Sequence, residues 1–595
     1  MPKILSLLVR RRSFIPSYHH LPLRAVLAGS LRTMSESSSP ENSTTGEKRL
    51  LDGPSSPSHS TKRARHDEDM EDQTSNMKTM VTDDKALDPS NHSSEPRDAS
   101  EHPQSRKGKV KRTKNPGRRR GTRPEGEEAE GSSGSKEPRL PKRQCALLLG
   151  FCGSGYRGMQ FQKPQPGLPE QLTIEGELFK ALIAAGAVSK DNADDPVKVA
   201  FGRAARTDAG VHAVGNVVSM KMIMEVPGVD NMLAHINSLL PPQIRLWDFF
   251  RTQGSFNART HCDSRKYTYF FPSYLLIPPK SGSGLDRALK AHAASLSYEV
   301  PYSNDPFWNI PDAETSTAEE DLIRKRAWRA TPTHIERLRE IVKKFEKSHN
   351  FHNFTLTMDP QDKSNNRFMK SLEVAEPAVY GDTEWIAILL HGQSFMLHQI
   401  VSDITHQRKM MFALVMISRT GTPAKLIDEL YNLPTVQIPK MPALGLLLEY
   451  PIFSLYNQKA IGGSRDLDPS DPQFRPPIDF EKYSAEMTEF KQKYIYDNMR
   501  GIEDRKGLFD AYIRSVDTYD GNDLLYLNPL GTIPPASIIQ KGTQRENPFR
   551  EHRRFNLTSF AADDKTKMKA TDPDDMQDVD VDHPLNKKQM EEAEG

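Results

Sequence analysis

The stretch FGRAARTDAGVHAVGNVVSMKM, residues 201–222, decides how the rest of the chain is read. Its second half, from Asn216 to Met222, reads as a strand: Val218, Met220 and Met222 alternate with Ser219 and Lys221, the pattern of a half-buried strand. VKVAF (197–201) reads as another strand before it. Between them a tight turn of Gly and Ala presents Arg206, Thr207 and Asp208, with Gly210 beside them. A carboxylate raised on such a loop, with a guanidinium two residues away, stays ionised and is usable as a nucleophile or base. Small neighbours let a bulky substrate backbone approach closely. The plainer reading is a structural aspartate in a turn, and residue chemistry alone leaves both standing.

Outward from this turn, CALLLGF (145–151) reads as a buried strand that runs into a Gly-rich turn, CGSGYRGMQ (152–160). Thr173 can cap a helix that ends at Gly186. On the other side KYTYFF (266–271) is a strand, 280–330 shows little periodicity and looks like an insertion, and a helix covers 333–347. Strands follow near 371–375 and 385–390, then a helical stretch from Ser394 into Ile417 and a helix opened by Thr422-Pro423. LGLLLEY (444–450) is a last core strand, and 477–520 is charged and helix-prone. Strands and helices intermix without strict βαβ alternation, which predicts an α+β fold with an antiparallel or mixed sheet. The expected division is a core in two halves, 144–279 and 331–457, separated by the insertion and followed by a helical extension over 458–545.

The chain has 595 residues, with 81 Lys and Arg against 79 Asp and Glu, a net charge of +2. That balance hides segregation along the chain. Residues 1–33 hold no acid and six Lys and Arg, the composition of a mitochondrial presequence or of an ordinary basic terminus, and Met34 offers a second start. From Ser35 to Arg139 the sequence is rich in Ser, Pro and charge and is expected to be disordered. It holds two basic clusters, Lys62–Arg65 and the run Arg106–Arg123 with ten basic residues and no acid. These read as nuclear localisation signals and so as contacts for the import machinery, or as a sequence-independent grip on phosphates, or as plain solvated charge. An acidic tail, also expected to be disordered, begins near Asp563 within the terminal stretch 546–595. No apolar run reaches the roughly 18–20 residues of a membrane span. Three cysteines, Cys145, Cys152 and Cys262, make neither a disulfide framework nor a four-thiolate zinc site.

The ARTDAGVHA stretch resembles the signature of the TruA-like tRNA pseudouridine synthases, and further motifs follow in family order. CGSGYRGMQ resembles the first-strand motif, HINSLLPPQIRLWDF (235–249) the Asn-rich helix and Leu-Pro turn, and SFNARTHCDSRKYTYFF (255–271) the Phe-x-Ala-Arg and Arg-x-Tyr segment. NFHNFT (350–355), GQSFMLHQI with RKMM (392–411) and ALGLLLEY (443–450) complete the series. The Ala-Arg-Thr-Asp variant and the long tails resemble the eukaryotic tRNA pseudouridine synthase 1 branch. The resemblance covers 144–457 and implies two α/β halves sharing a mixed, mainly antiparallel sheet, with an RNA-binding cleft between them.

It implies further that Asp208 is the catalytic aspartate, and that Tyr267 stacks on the target base and serves in proton abstraction. Arg206 would help hold the flipped nucleotide, and Leu446 would line the uracil pocket. On residue chemistry alone Tyr267 and Tyr269, on one face of their strand, are core aromatics, and Leu446 is core. The implied reaction is isomerisation of uridine in tRNA, with anticodon-stem positions expected and snRNA or mRNA as further substrates. It needs no cofactor and leaves a structural metal open. The expected protein is a monomer that binds RNA, touches no membrane, and resides in the nucleus, with a mitochondrial form from Met1.

One segment departs from the family. The pattern Phe-x-x-His-x-x-Arg places an arginine near the catalytic aspartate. Here Phe395, His398 and Gln399 are present, but VSDITHQ (401–407) intervenes before Arg408. Seven residues are nearly two helical turns and shift a residue roughly 10 Å along a continuous helix. Since the insert ends in His406-Gln407, repeating His398-Gln399, two readings stand. In one the helix starts later and Arg408 regains its place. In the other the insert impairs the chain, leaving an RNA-binding protein of the same fold, and deleting it raises activity.

Overall fold

The computed structural model describes residues 140–163, 170–311, 313–355, 359–393, 403–540, 547–556 and 558–559. The presequence-like segment, the basic clusters, Phe395, His398, Gln399 and the acidic tail lie outside the described residues.

Ten strands form one sheet: β1 (Lys142–Phe151), β2 (Gly202–Arg203), β3 (His212–Ile223), β4 (Ile244–Arg251), β5 (Ser264–Pro272), β6 (Lys347–Asn350), β7 (Asn366–Val374), β8 (Ala378–Tyr380), β9 (Thr383–Gln393) and β10 (Leu446–Ile452). The order across it is β4-β1-β3-β10-β5-β9-β7-β6, with β2 added to β3 and β8 to β9. Its described ladders are antiparallel except where β10 lies parallel to β3, pairing Leu447 with His212 and Leu448 with Ala213. That junction joins β1–β4 to β5–β9, so the loops before β3 and before β10 start side by side. The sheet is mixed and mainly antiparallel, as the sequence predicts.

The helices are α1 (Ile174–Ala184), α2 (Met232–Leu239), α3 (Gly284–Ser295), α4 (Ala318–Ala327), α5 (Pro332–Lys343), α6 (Asp403–Arg419), α7 (Leu426–Glu429), α8 (Ser454–Gly463), α9 (Ser484–Phe490), α10 (Asp497–Lys506) and α11 (Leu508–Asp517). Thr173 caps α1 by accepting from Gly176 N–H, as its sequence position predicts. None of the described helices is long and apolar enough to cross a membrane.

Three sequence expectations need correction. VKVAF is not a strand: Pro196–Val199 is a 3-10 turn, because Asp195 caps Val197 N–H at 2.9 Å with Pro at the first position. β3 is buried on both faces rather than half-buried. Val218, Met220 and Met222 join the core on one face, while Val214 and Val217 join a second core with Phe480, Met487 and Phe490 of the C-terminal extension. Ser219, expected to face water, is buried and accepts from Ala258 N–H at 3.0 Å. Finally, 280–330 is not irregular. It holds α3 and α4, and Leu285, Leu289 and Ala293 of α3 are buried in the main core.

Candidate active site

The loop from Ala204 to Val211 bears Asp208 and is fixed from both ends. Asn216 of β3 accepts from Ala205 N–H at 3.2 Å and donates to Ala205 carbonyl oxygen at 3.0 Å, closing the loop's base. Val211 N–H donates to the Asp208 carbonyl at 3.2 Å, a turn in which Gly210 takes φ 78°. The CGSGYRGMQ turn packs against it: Met159 N–H donates to Thr207 carbonyl at 2.9 Å, and a Cβ on Gly158 would lie 2.6 Å from that same oxygen. The Gly-rich turn thus serves to let two backbones touch, and the aspartate side chain is left 38% exposed.

Behind Asp208 stands Arg408, only 3% exposed, with Nη1 3.4 Å from Asp208 Oδ2. Its Nε donates to Met441 carbonyl at 2.6 Å and its Nη2 to Asn556 Oδ1 at 2.6 Å. Helix α6 begins at Asp403, so the last five residues of the insert form its first turn and Arg408 reaches the aspartate loop with the insert in place. This favours the reading in which Arg408 keeps its place beside the aspartate loop. His406 is buried against Phe351, ring centroids 4.4 Å apart, and burial pushes its pKa down to about 3. Next to Arg408, Lys409 is buried and donates to Thr355 carbonyl at 2.8 Å, tying α6 to the NFHNFT segment.

Tyr267 lies on β5 opposite Leu448 and Leu390, 3% exposed, and borders a small recess walled by Arg265, Leu390, His406 and Gln407. Tyr269, on the same face, donates its hydroxyl to Pro442 carbonyl at 2.8 Å, and burial pushes its pKa up. Leu446 opens β10 opposite Tyr269 and is fully buried. Arg206 is half-buried in the aspartate loop and shares the field of Glu175 with Arg203, whose Nε is 2.5 Å from Glu175 Oε1. Burial raises the Glu175 pKa, and Arg203, the Phe161 N–H and Arg206 pull against that rise.

His212, which sequence reasoning passed over, links three segments. Its Nδ1 accepts from Gly153 N–H at 3.1 Å, so its Nε2 carries the proton toward Leu444 carbonyl at 3.2 Å. Burial pushes its pKa down to about 4 and keeps it neutral. Glu175, Lys409 and Asn556 were missed too. His212 and Lys409 lie within recognised motifs, where a polar residue in an apolar setting is a visible signal; Glu175 and Asn556 lie outside them. Among the described residues no group of three His, Cys, Asp or Glu side chains converges as metal ligands. Cys145, Cys152 and Cys262 are buried thiols without disulfides.

The mainly antiparallel mixed sheet is consistent with the fold of pseudouridine synthases. No family model matches the chain. Curated relatives do. The tRNA pseudouridine synthase 1 of Kluyveromyces lactis is 39% identical over 458 residues, 71% of this chain and 77% of that protein. Proteins of the same name from Schizosaccharomyces pombe and Saccharomyces cerevisiae are 35% and 38% identical, covering 86% and 73% of their own lengths and 66% and 65% of this chain. The chain belongs to the tRNA pseudouridine synthase 1 family.

Proposed function

We propose that this protein isomerises uridine to pseudouridine within tRNA, with Asp208 as the reacting carboxylate. The observation that carries the reading is the Asp208–Arg408 contact at 3.4 Å, on a loop that leaves the carboxylate reachable from solvent. In the reaction the N1–C1′ bond breaks, the uracil turns, and a C5–C1′ bond forms. The proton leaves C5 and one returns to N1, so atoms balance without a redox partner or donated group and no cofactor is required. Asp208 acts on the ribose or on the ring. Arg408 stands behind it and aims it. Tyr267 is the new stacking neighbour of the flipped base and serves in proton abstraction, Arg206 holds the flipped nucleotide, and Leu446 gives the pocket an apolar floor.

Positions in and near the anticodon stem are the expected targets, with snRNA and mRNA uridines as further ones. The protein works as a monomer in the nucleus, delivered by import machinery that reads Lys62–Arg65 and Arg106–Arg123, with a mitochondrial form started at Met1. Single-turnover assay on a uridine-containing tRNA transcript tests the chemistry, and mapping pseudouridines in total tRNA with and without the gene tests the substrate. Absence of pseudouridine from the transcript would leave an RNA-binding protein of the same fold. Support for an active chain comes from Arg408, which the insert has not displaced.

A further inference from the structure

The segment from Asn547 to Asn556 follows the helical extension and carries none of the motifs that mark the family. It is nonetheless docked. Phe549 and Phe555 are buried. Phe555 and His552 pack on Tyr512 of α11 at 5.5 and 5.1 Å between ring centroids, and Phe549 packs on Tyr519 at 4.8 Å. Ser515 Oγ and His552 Nε2 share a hydrogen bond of 2.7 Å. These anchors bring Asn556 to the rear of the Asp208 loop, where its carbonyl oxygen would lie 2.7 Å from any Cβ added at Gly210.

The Asn556 side-chain oxygen accepts two bonds, from Arg408 Nη2 at 2.6 Å and from Ala443 N–H at 3.2 Å. Ala443 leads into β10, so one amide ties the arginine of α6 to the loop before Leu446. A guanidinium is a rigid planar fork. With Nε fixed on Met441 carbonyl and Nη2 on Asn556, the direction of Nη1 toward Asp208 follows. An amide suits this place because it accepts two donors without adding a negative charge that would compete with Asp208 for the same cation. Tyr269 and Tyr512 also feel the Arg408 charge, but burial pushes both phenols up and keeps them neutral.

We propose that Asn556 is a positioning residue for the isomerisation: it locks the Arg408 guanidinium so that Nη1 faces Asp208, which makes the C-terminal segment part of the active site. The proposal rests on the reading of Asp208 as the reacting carboxylate. It is tested in the full chain with Asn556→Ala and Asn556→Asp, by single-turnover rate, tRNA affinity and thermal midpoint. The alanine variant should slow the chemical step about 30-fold or more, as a loosened guanidinium mis-aims the carboxylate, with tRNA affinity within about three-fold. The aspartate variant keeps both acceptor bonds but divides the cation between two carboxylates. The acid limb of its pH–rate profile should therefore move up by about half a unit or more, because a carboxylate that shares its cation holds its proton to higher pH.

An alanine variant within about two-fold of wild type, or an unmoved acid limb in the aspartate variant, overturns the proposal. If the alanine variant does not fold, the acid limb of the aspartate variant decides alone. A wild-type chain that forms no pseudouridine defeats the functional reading itself. An active wild type, an inactive Asp208→Asn and a full-rate Asn556→Ala together defeat only this inference.

Discussion

At the scale of single residues, the test of the reaction is Asp208→Asn. The change removes nucleophile and base character with almost no loss of volume, on a loop whose base is closed by backbone and Asn216 hydrogen bonds. Pseudouridine formation should fall below about one per cent of wild type while tRNA binding stays within a few-fold. Single-turnover assay and filter binding measure the two, and turnover above that level would remove Asp208 from its role. Asp208 and Arg206 stand out in the sequence as charges displayed on a Gly- and Ala-rich turn, but residue chemistry left a structural turn standing beside a catalytic one, and the roles expected of them came from the family resemblance. Asn556 was not: it acts through Arg408, 148 residues away in the chain, and no periodicity or spacing announces such a bond. His212 was legible in principle, as a histidine inside an apolar strand, but the two carbonyl and amide partners that make it structural come from other segments.

At the scale of elements, residues 403–407 of the insert lie in helix α6, and Arg408 is anchored by Met441 and Asn556 with the insert in place. Deleting 401–407 would put Gln399 and Ile400 in sequence before Arg408 and remove the His406 packing on Phe351. The expected activity is within about three-fold of the intact chain, since the guanidinium keeps its anchors. A large gain measured by single-turnover assay would mean that the insert does impair the site. A large loss would make His406 and Gln407 functional parts of the recess beside Tyr267. Element-level reading failed where local capping outweighed β propensity, as at Asp195-Pro196. It also failed where helices were short: α4 carries a full Thr317–Glu320 capping box that the sequence displays, yet few apolar positions to give it a period. The two-sided burial of β3 was out of reach, because the second layer gathers Phe256, Phe453 and Tyr456 with Ile478, Phe480, Met487 and Phe490, residues far apart in the chain.

At the scale of the whole molecule, the basic run Arg106–Arg123 and the core have separable jobs under the proposed function. Deleting the run should leave single-turnover rates on naked tRNA within about three-fold while lowering the salt dependence of binding, each lost phosphate contact reducing the slope by about 0.7–0.9. Fluorescent fusions started at Met34 should be nuclear and lose that location on the deletion, and fusions started at Met1 should add mitochondria; cytosolic signal from both would make the clusters plain solvated charge. The folded core adds a pH response of its own. Burial holds His212 down to about 4 and His406 down to about 3, against an ordinary value of 6.5. Both take up a proton on unfolding once the pH is below 6.5, so their stabilisation is complete above that value and is lost as pH falls toward 4, by up to about 1.4 kcal/mol per unit for each. Glu503 works in the opposite direction. Burial raises its pKa from 4.5 to about 7, so its contribution is present at low pH and lost as pH rises through 7. Burial also holds His391 and His552 down to about 4 and raises Glu175, so between 4.5 and 6.5 four histidines oppose two carboxyls, and the histidines win. Denaturant unfolding at pH 7, 6 and 5 should therefore show falling stability. His212→Gln should flatten the slope by about one proton's worth, because the amide cannot titrate. A midpoint that does not move between pH 7 and 5 would mean that these imidazoles reach solvent, and that the junction of β3 and β10 opens in the native state.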